Sequence, residues 1–181
     1  MANSVDDLLS AYEKVLNMNW EATLSGQERI WFLVYEPELQ RKVDFRLVDF
    51  ENATKKAGKK WALISLKEVF PDWMANHEYR EEYFANPNHI KYQYESSFKP
   101  YLYKCVSDII KELSIDENTV LTLHNTSSLF GFTRLSELLN HISRNIPGRL
   151  LVLFPGEFEK NQFRLLDARD GWSYLARPIT A

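Results

Sequence analysis

Short apolar runs alternate with amphipathic helical patterns along this chain. The apolar runs lie at residues 30–35, 61–65, 120–124 and 150–154. The run 150–154 is typical of a strand buried on both faces of a parallel sheet. The run 30–35 is predicted to be a buried strand, and the runs 61–65 and 120–124 are predicted to be strands. Helical patterns fill the stretches between them: from Ser4, from Pro37 to Gly58, from about Leu66, and over residues 99–113 and 133–144. The alternation predicts a single three-layer α/β domain over residues 1–181, with a mostly parallel sheet and helices on both faces.

Local signals mark where several of these elements begin and end. Ser4 followed by Asp7 is typical of a capped helix start. Pro37 suits a first helical position, and Gly58 is a candidate C-cap in front of the second strand. Two further runs, residues 163–166 and 174–179, predict short edge strands at the C-terminus.

The fourth apolar run leads directly into Pro155-Gly156. Proline cannot donate to a sheet ladder and glycine allows unusual backbone conformations, so the strand is predicted to end there in a sharp exit. In open α/β sheets, ligands and partners bind at the loops that follow the carboxyl ends of strands. We therefore take Pro155, Gly156 and the nearby Phe158 as candidate contact residues.

A polar loop follows the third predicted strand. Asn125, Ser127 and Ser128 offer hydrogen-bonding side chains close to a predicted helix start, and Arg134 follows in the first turn of that helix. Such a geometry suits an anion. The alternative is that these residues cap the helix and satisfy the turn. Both interpretations stay open at this point.

Aromatic residues are concentrated in the segment 70–103. They are Phe70, Trp73, Tyr79, Tyr83, Phe84, Tyr92, Tyr94, Phe98, Tyr101 and Tyr103. Tyr79, Tyr83 and Phe84 keep a helical spacing that favours core packing, whereas Tyr92 and Tyr94 alternate with polar residues after a predicted loop. The segment is interpreted either as core and edge packing or as a protein interface, where large stiff side chains are favoured. Acids outnumber bases between Asp72 and Lys99, which argues against a nucleic-acid platform.

Composition narrows the function classes further. The formal net charge of −3 provides no general attraction to nucleic acid or to an anionic membrane. The single cysteine, Cys105, falls on an apolar helical stripe and is predicted to be a packed, unreactive thiol. The first residues are acidic and amphipathic, unlike a signal peptide, and no apolar run approaches the length of a membrane span. We expect a cytoplasmic protein without membrane partners.

No complete catalytic motif is present in the sequence. The closest approach to a phosphate-binding loop ends in Gly58-Lys59-Lys60 and lacks both the first glycine and the final hydroxyl. His77-Glu78 lacks the second histidine of a zinc-protease helix, since Glu81 stands in its place. Neither catalytic residues, nor a cofactor, nor a metal site are predicted.

One acid–base arrangement is still conceivable from the strand positions. Glu36, His124 and Glu157 each follow a predicted strand, and they would form an acid–base cluster if they met at one edge of the sheet.

The C-terminal half carries several signatures in a fixed order. They are the polar loop HNTSSLFG (residues 124–131), the helix residues Leu138-Leu139-Asn140, the run RLLVLFPGEFEKNQFRLLD (residues 149–167) and the ending Tyr174-Leu175-Ala176-Arg177. Together they resemble the BrxB family of BREX (bacteriophage exclusion) phage-defence systems. The resemblance covers most of the chain and is strongest from Val120 onward. Family members typically have a glycine-serine turn where this chain has Thr126-Ser127-Ser128, and a tyrosine within the signature where Phe154 runs directly into Pro155.

The resemblance implies a non-enzymatic subunit of a bacterial BREX-type complex. The implied direct partner is a PglZ-like protein of the alkaline-phosphatase fold, with other BREX components as further partners. The alternative is a small α/β enzyme or switch that binds a nucleotide or phosphate through residues 124–131 and 155–157. A sheet edge filled by Phe130, Phe132 and Phe158 would argue against that alternative.

Overall fold

The computed structural model describes residues 4–166 and 175–181. Its sheet contains six strands: β1 (Ile30–Tyr35), β2 (Lys60–Ser65), β3 (Thr119–His124), β4 (Arg149–Glu159), β5 (Gln162–Leu165) and β6 (Arg177–Ile179). The order β2-β3-β4-β1-β6 is parallel throughout, and β5 pairs antiparallel with the end of β4.

Seven α-helices surround this sheet in the described ranges. They are α1 (Val5–Leu16), α2 (Gln40–Phe45), α3 (Leu47–Lys56), α4 (Val69–Ala75), α5 (Arg80–Ala85), α6 (Lys99–Glu112) and α7 (Leu135–Ile142). None of the helices in this part of the chain is both long and apolar enough to cross a bilayer.

Alternate residues of the central strands β1, β3 and β4 supply two separate cores. Phe32 and Val34 of β1 pack under α4 to α7, whereas Trp31, Leu33 and Tyr35 pack under α1 to α3. The chain crosses one face of the sheet from β1 to β2 and returns on the other face through β3 to β4. Opposite directions on opposite faces are what a constant crossover handedness requires. The three-layer α/β prediction with a mostly parallel sheet is confirmed.

The predicted strand exit at Pro155-Gly156 is wrong. β4 continues through both residues to Glu159, because partners are available on each side. Pro155 lies opposite Tyr35 of β1, and its carbonyl accepts a hydrogen bond from the Leu166 amide at 3.1 Å. Gly156 then begins the antiparallel pairing with β5. The missing proline donor therefore does not end the strand.

The two predicted edge strands differ in how they are placed. Residues 163–166 correspond to β5, which extends the end of β4 beyond the main strand order. β6 is shorter than the predicted 174–179 and lies at the edge beside β1. Tyr174 lies outside the described residues.

The helical segments are more broken than the sequence pattern predicts. The helix expected from Pro37 to Gly58 is a 3₁₀ turn followed by α2 and α3, with a break at Arg46. Within residues 70–103 the predicted loop is present at residues 86–88, between α5 and a 3₁₀ helix at His89–Tyr92. A π-helix follows at Tyr94–Phe98. Tyr83 is buried as expected, but its helical neighbours Tyr79 and Phe84 are exposed. Cys105 is half-buried on α6.

Candidate functional site

A chain of polar side chains runs along the carboxyl edge of the sheet. His124, the last residue of β3, is largely buried, and its Nε2 lies 2.6 Å from Asp44 Oδ1 on α2. The side-chain amide of Asn125 donates to the other ring nitrogen, Nδ1, at 3.1 Å. Since Nδ1 accepts, this network assigns the proton to Nε2, which donates to the Asp44 carboxylate. Both ring nitrogens of His124 are therefore engaged within the molecule.

The network continues from Asp44 into β1. Gln40 donates from its amide to Asp44 Oδ1 at 2.6 Å, and the hydroxyl of Tyr35 donates to Gln40 Oε1 at 2.9 Å. Burial raises the pKa of Tyr35, and the negative charge of Asp44 raises it further. The phenol therefore stays protonated and fixes the end of β1 to α2.

Asn125 ties the same edge to the neighbouring strand β2. Its backbone adopts the left-handed conformation, with φ of 57°, which asparagine tolerates better than most residues. In this conformation its amide also donates to the Ser65 hydroxyl at 3.0 Å. Asn125 therefore lies at the carboxyl edge of the sheet, as predicted. Its side-chain amide links the end of β2 to the end of β3 through hydrogen bonds to Ser65 and His124.

The acidic partner of His124 in the structure differs from the two that the strand positions suggested, Glu36 and Glu157. His124 contacts Asp44, which lies 80 positions away on a helix. Glu157 instead forms an ion pair with Arg164 at 3.4 Å across the β4–β5 hairpin. Sequence reasoning missed Asp44 because it considered residues at strand ends, whereas α2 projects its side chain over β3. The spacing of Gln40 and Asp44, four residues apart on one helical face, is the signal that was available.

Ser127 and Ser128 lie in a 3₁₀ helix, Thr126–Leu129, directly after Asn125. The turn is held by backbone bonds and by the buried Thr126 hydroxyl, which donates to the Leu153 carbonyl at 2.7 Å. α7 begins only at Leu135, with the exposed Arg134 at its N-cap position and no side-chain cap bond. The two serines therefore do not cap α7. Arg134 lies at the N-cap, one residue before the first turn in which the sequence placed it.

Pro155, Gly156 and Phe158 lie at the end of β4, and their side chains carry no hydrogen-bonding group that could join the His124 network, although Pro155 lies opposite Tyr35. A Cβ on Gly156 would meet the Arg164 carbonyl oxygen at 2.1 Å, so the two backbones approach more closely than another residue allows. The half-buried ring of Phe158 packs on Phe163 with centroids 4.6 Å apart. These residues pin the hairpin to the sheet.

The aromatic segment supplies both a packed cluster and exposed rings. Tyr94 is half-buried, with ring centroids 5.3 Å from Phe132 and 6.5 Å from Phe70. Phe132 stacks on Phe70 at 3.9 Å, so residues that follow the polar loop pack into the aromatic segment. Tyr92, by contrast, is 80% exposed.

Within the described ranges, no group of three or more histidine, cysteine or acidic side chains is arranged to hold a metal ion. Fold and site together define a three-layer α/β protein with a hydrogen-bonded Asp–His pair at the carboxyl edge of its sheet. Comparison of the chain with protein-family models, with curated proteins and with solved structures finds no match.

Proposed function

We propose that this chain is a non-enzymatic binding subunit of a BREX-type phage-defence complex in the bacterial cytoplasm. A PglZ-like protein of the alkaline-phosphatase fold is its direct partner, and other BREX components complete the assembly. The sequence resemblance to the BrxB family supplies the identity of the complex and of the partner. The surface chemistry of residues 79–92 supports a role in binding.

The main structural support for this proposal is the exposure of three aromatic side chains in residues 79–92. Tyr79 is 57%, Phe84 65% and Tyr92 80% exposed, and we call these three residues the aromatic surface. Large aromatic side chains are enriched at the centres of protein interfaces, because they bury much area for little loss of side-chain entropy. Tyr79 lies in the turn before α5, and Phe84 and Tyr92 lie on short helices. Their exposure outside both cores favours contact with another protein.

The polar edge around His124 favours a structural role over acid–base chemistry. A general base needs a ring nitrogen that can reach the substrate proton, and both nitrogens of His124 are bonded to Asp44 and Asn125. The amide of Asn125 is likewise shared between His124 and Ser65. The alternative of a nucleotide- or phosphate-binding enzyme at this edge therefore has less support than a binding subunit.

Co-expression of the tagged chain with the PglZ-like protein of its own operon, followed by size-exclusion chromatography, tests the proposal. We expect the two proteins to co-elute in a fixed ratio. The double variant Phe84→Ala/Tyr92→Ala should weaken binding at least about tenfold, since a truncated aromatic anchor typically costs more than 1 kcal/mol.

The matched control is Phe45→Ala/Val48→Ala, which removes two exposed apolar side chains from α2 and α3 on the opposite face. It should bind like the wild type. Separate elution of the wild-type chain would reject the subunit proposal itself. Undiminished binding by Phe84→Ala/Tyr92→Ala would reject only the aromatic surface as the contact.

A further inference from the structure

Four basic residues lie where parallel strands begin. Arg29 immediately precedes β1 and Lys59 immediately precedes β2, while Arg149 and Arg177 are the first residues of β4 and β6. Parallel strands start at the same edge of a sheet, so the fold gathers these four charges at the amino edge. This edge is opposite to the one that carries His124.

Two neighbouring cavities open among these bases. One, of about 660 Å³, is lined by Arg29, Lys59 and Arg149. The other, of about 400 Å³, is lined by Arg149 and Arg177. Arg149 and Trp20 line both, and each cavity is within the size range of small-molecule sites.

Arg149 is the central residue of this arrangement because it is buried and has no counter-ion in the described part of the chain. Only 4% of it is exposed, and its guanidinium donates to two backbone carbonyls, those of Gly148 and Glu21, each at 3.3 Å. It lies over the ring of Trp20 at 4.9 Å. Within residues 4–166 and 175–181, no carboxylate forms an ion pair with it. A buried charge is normally paired, because removal from water is costly.

The surrounding charges add to this imbalance. Burial lowers the pKa of Arg149, and the positive charge of Arg29 lowers it further. The negative charge of Glu21 opposes these effects, and the positive charge of Arg177 adds to them. An anion placed in the cavities would relieve the repulsion among these arginines.

In the described part of the chain, Arg29 and Lys59 also donate hydrogen bonds to neutral partners. Arg29 donates to the carbonyls of Ala22 at 2.9 Å and Pro147 at 3.2 Å, and its buried Nε has no partner there. Lys59 donates to the side-chain oxygen of Asn118 at 3.0 Å and lies over Trp20 at 4.1 Å.

Acidic side chains also line the cavities, but none of those that the structure describes forms an ion pair with the four bases. Glu28 accepts a hydrogen bond from the Ser25 amide at 2.9 Å. Glu21 and Glu117 are exposed to solvent. Among the described residues, the buried Arg149 and the unpartnered Nε of Arg29 therefore lack an acceptor that carries negative charge.

We propose that the amino edge of the sheet binds a small oxyanion ligand, a molecule bearing phosphate or carboxylate groups, with Arg149 at its centre and Arg29, Lys59 and Arg177 around it. Planar guanidinium groups suit such oxygens, because two N–H donors match two oxygens of one group. The ligand would occupy one or both cavities and supply the negative charge that no described residue provides to Arg149.

Isothermal titration calorimetry of the full chain with pyrophosphate and, separately, with citrate tests the site. We expect saturable binding of at least one probe to a single site per chain. Binding of pyrophosphate alone identifies a phosphate ligand, binding of citrate alone a carboxylate ligand, and binding of both a polyanion site. Lys59→Gln/Arg177→Gln should weaken the binding at least tenfold. Arg177 is exposed and Lys59 is only half-buried, so we expect the variant to fold.

The control variant Lys67→Gln/Arg134→Gln removes two positive charges from the opposite, carboxyl edge. It should bind the probes within twofold of the wild type. Absence of saturable binding to the wild type would overturn the proposal. Equal weakening by the two double variants would also overturn it, because the effect would then be one of net charge alone.

Discussion

Gly156 allows β4 and β5 to approach each other at the end of the sheet. An added Cβ would lie 2.1 Å from the Arg164 carbonyl oxygen and 2.9 Å from the Phe154 ring. The first of these atoms belongs to the backbone of the paired strand, so the neighbour cannot move aside without breaking the hairpin. Gly58 is needed for a different reason, since its φ of +73° is left-handed while the space around it is open.

Gly156→Ala should therefore be more destabilising than Gly58→Ala. Overpacking against a backbone typically costs 1–3 kcal/mol and occasionally more, so we expect a loss of about 3 kcal/mol in the free energy of unfolding. The strain of a left-handed alanine alone costs about 1 kcal/mol. Urea unfolding followed by circular dichroism measures both values. Equal losses in the two variants would show that β5 can move away from β4.

At the scale of elements, the β4–β5 hairpin is held to the sheet by aromatic packing. Phe163 is fully buried and stacks on Phe32 of β1 with centroids 4.3 Å apart. It also contacts Phe154 and Phe158 at 5.9 and 4.6 Å. A four-residue strand gains little from hydrogen bonds alone, so this ring supplies much of the attachment.

Phe163→Ala should lower the free energy of unfolding by about 3–5 kcal/mol, as expected for a phenylalanine removed from a packed core. The matched control is Phe45→Ala on α2. Its side chain is 85% exposed, so the change should stay within about 0.5 kcal/mol. Chemical denaturation of both variants provides the comparison. A loss below about 1 kcal/mol for Phe163→Ala would mean that the hairpin is not part of the cooperative core.

At the scale of the whole molecule, the core beneath α1 to α3 contains two buried phenols. Burial raises the pKa of Tyr12 above its ordinary value of 10.0, and hydrogen bonding to Thr54 only partly opposes this effect. Burial and the charge of Asp44 do the same for Tyr35. Above pH 10 the unfolded chain therefore loses these protons while the folded chain retains them.

Stability should fall as the pH rises above 10, because the folded state then binds more protons than the unfolded state. Each tyrosine contributes a slope of up to about 1.4 kcal/mol per pH unit. Thermal unfolding between pH 8 and 11 should show a steep decline for the wild type and a shallower one for Tyr12→Phe/Tyr35→Phe. Identical slopes would contradict a protonated, buried state for both phenols.

The local features of this protein follow from the sequence alone, because short-range physics decides them. Ser4 and Asp7 form the predicted capping box at the start of α1. Gly58 closes α3 as predicted, with its amide bonded to the Lys55 carbonyl and the Lys59 amide bonded to the Thr54 carbonyl. The four apolar runs became parallel strands. β1 and β3 are buried along their whole length, as continuous apolar runs predict, whereas β2 at the edge of the sheet is buried mainly on one face.

The tertiary structure alone decided the features that depend on partners distant in sequence. β4 passes through Pro155 because β1 and β5 pair with it there, although the local signal predicted an end. Asp44 meets His124 because α2 packs across the end of β3. The four bases at the amino edge meet because parallel strands start side by side, and no local pattern records which strands become neighbours. Periodicity specifies which face of an element is buried, whereas strand order specifies which side chains converge.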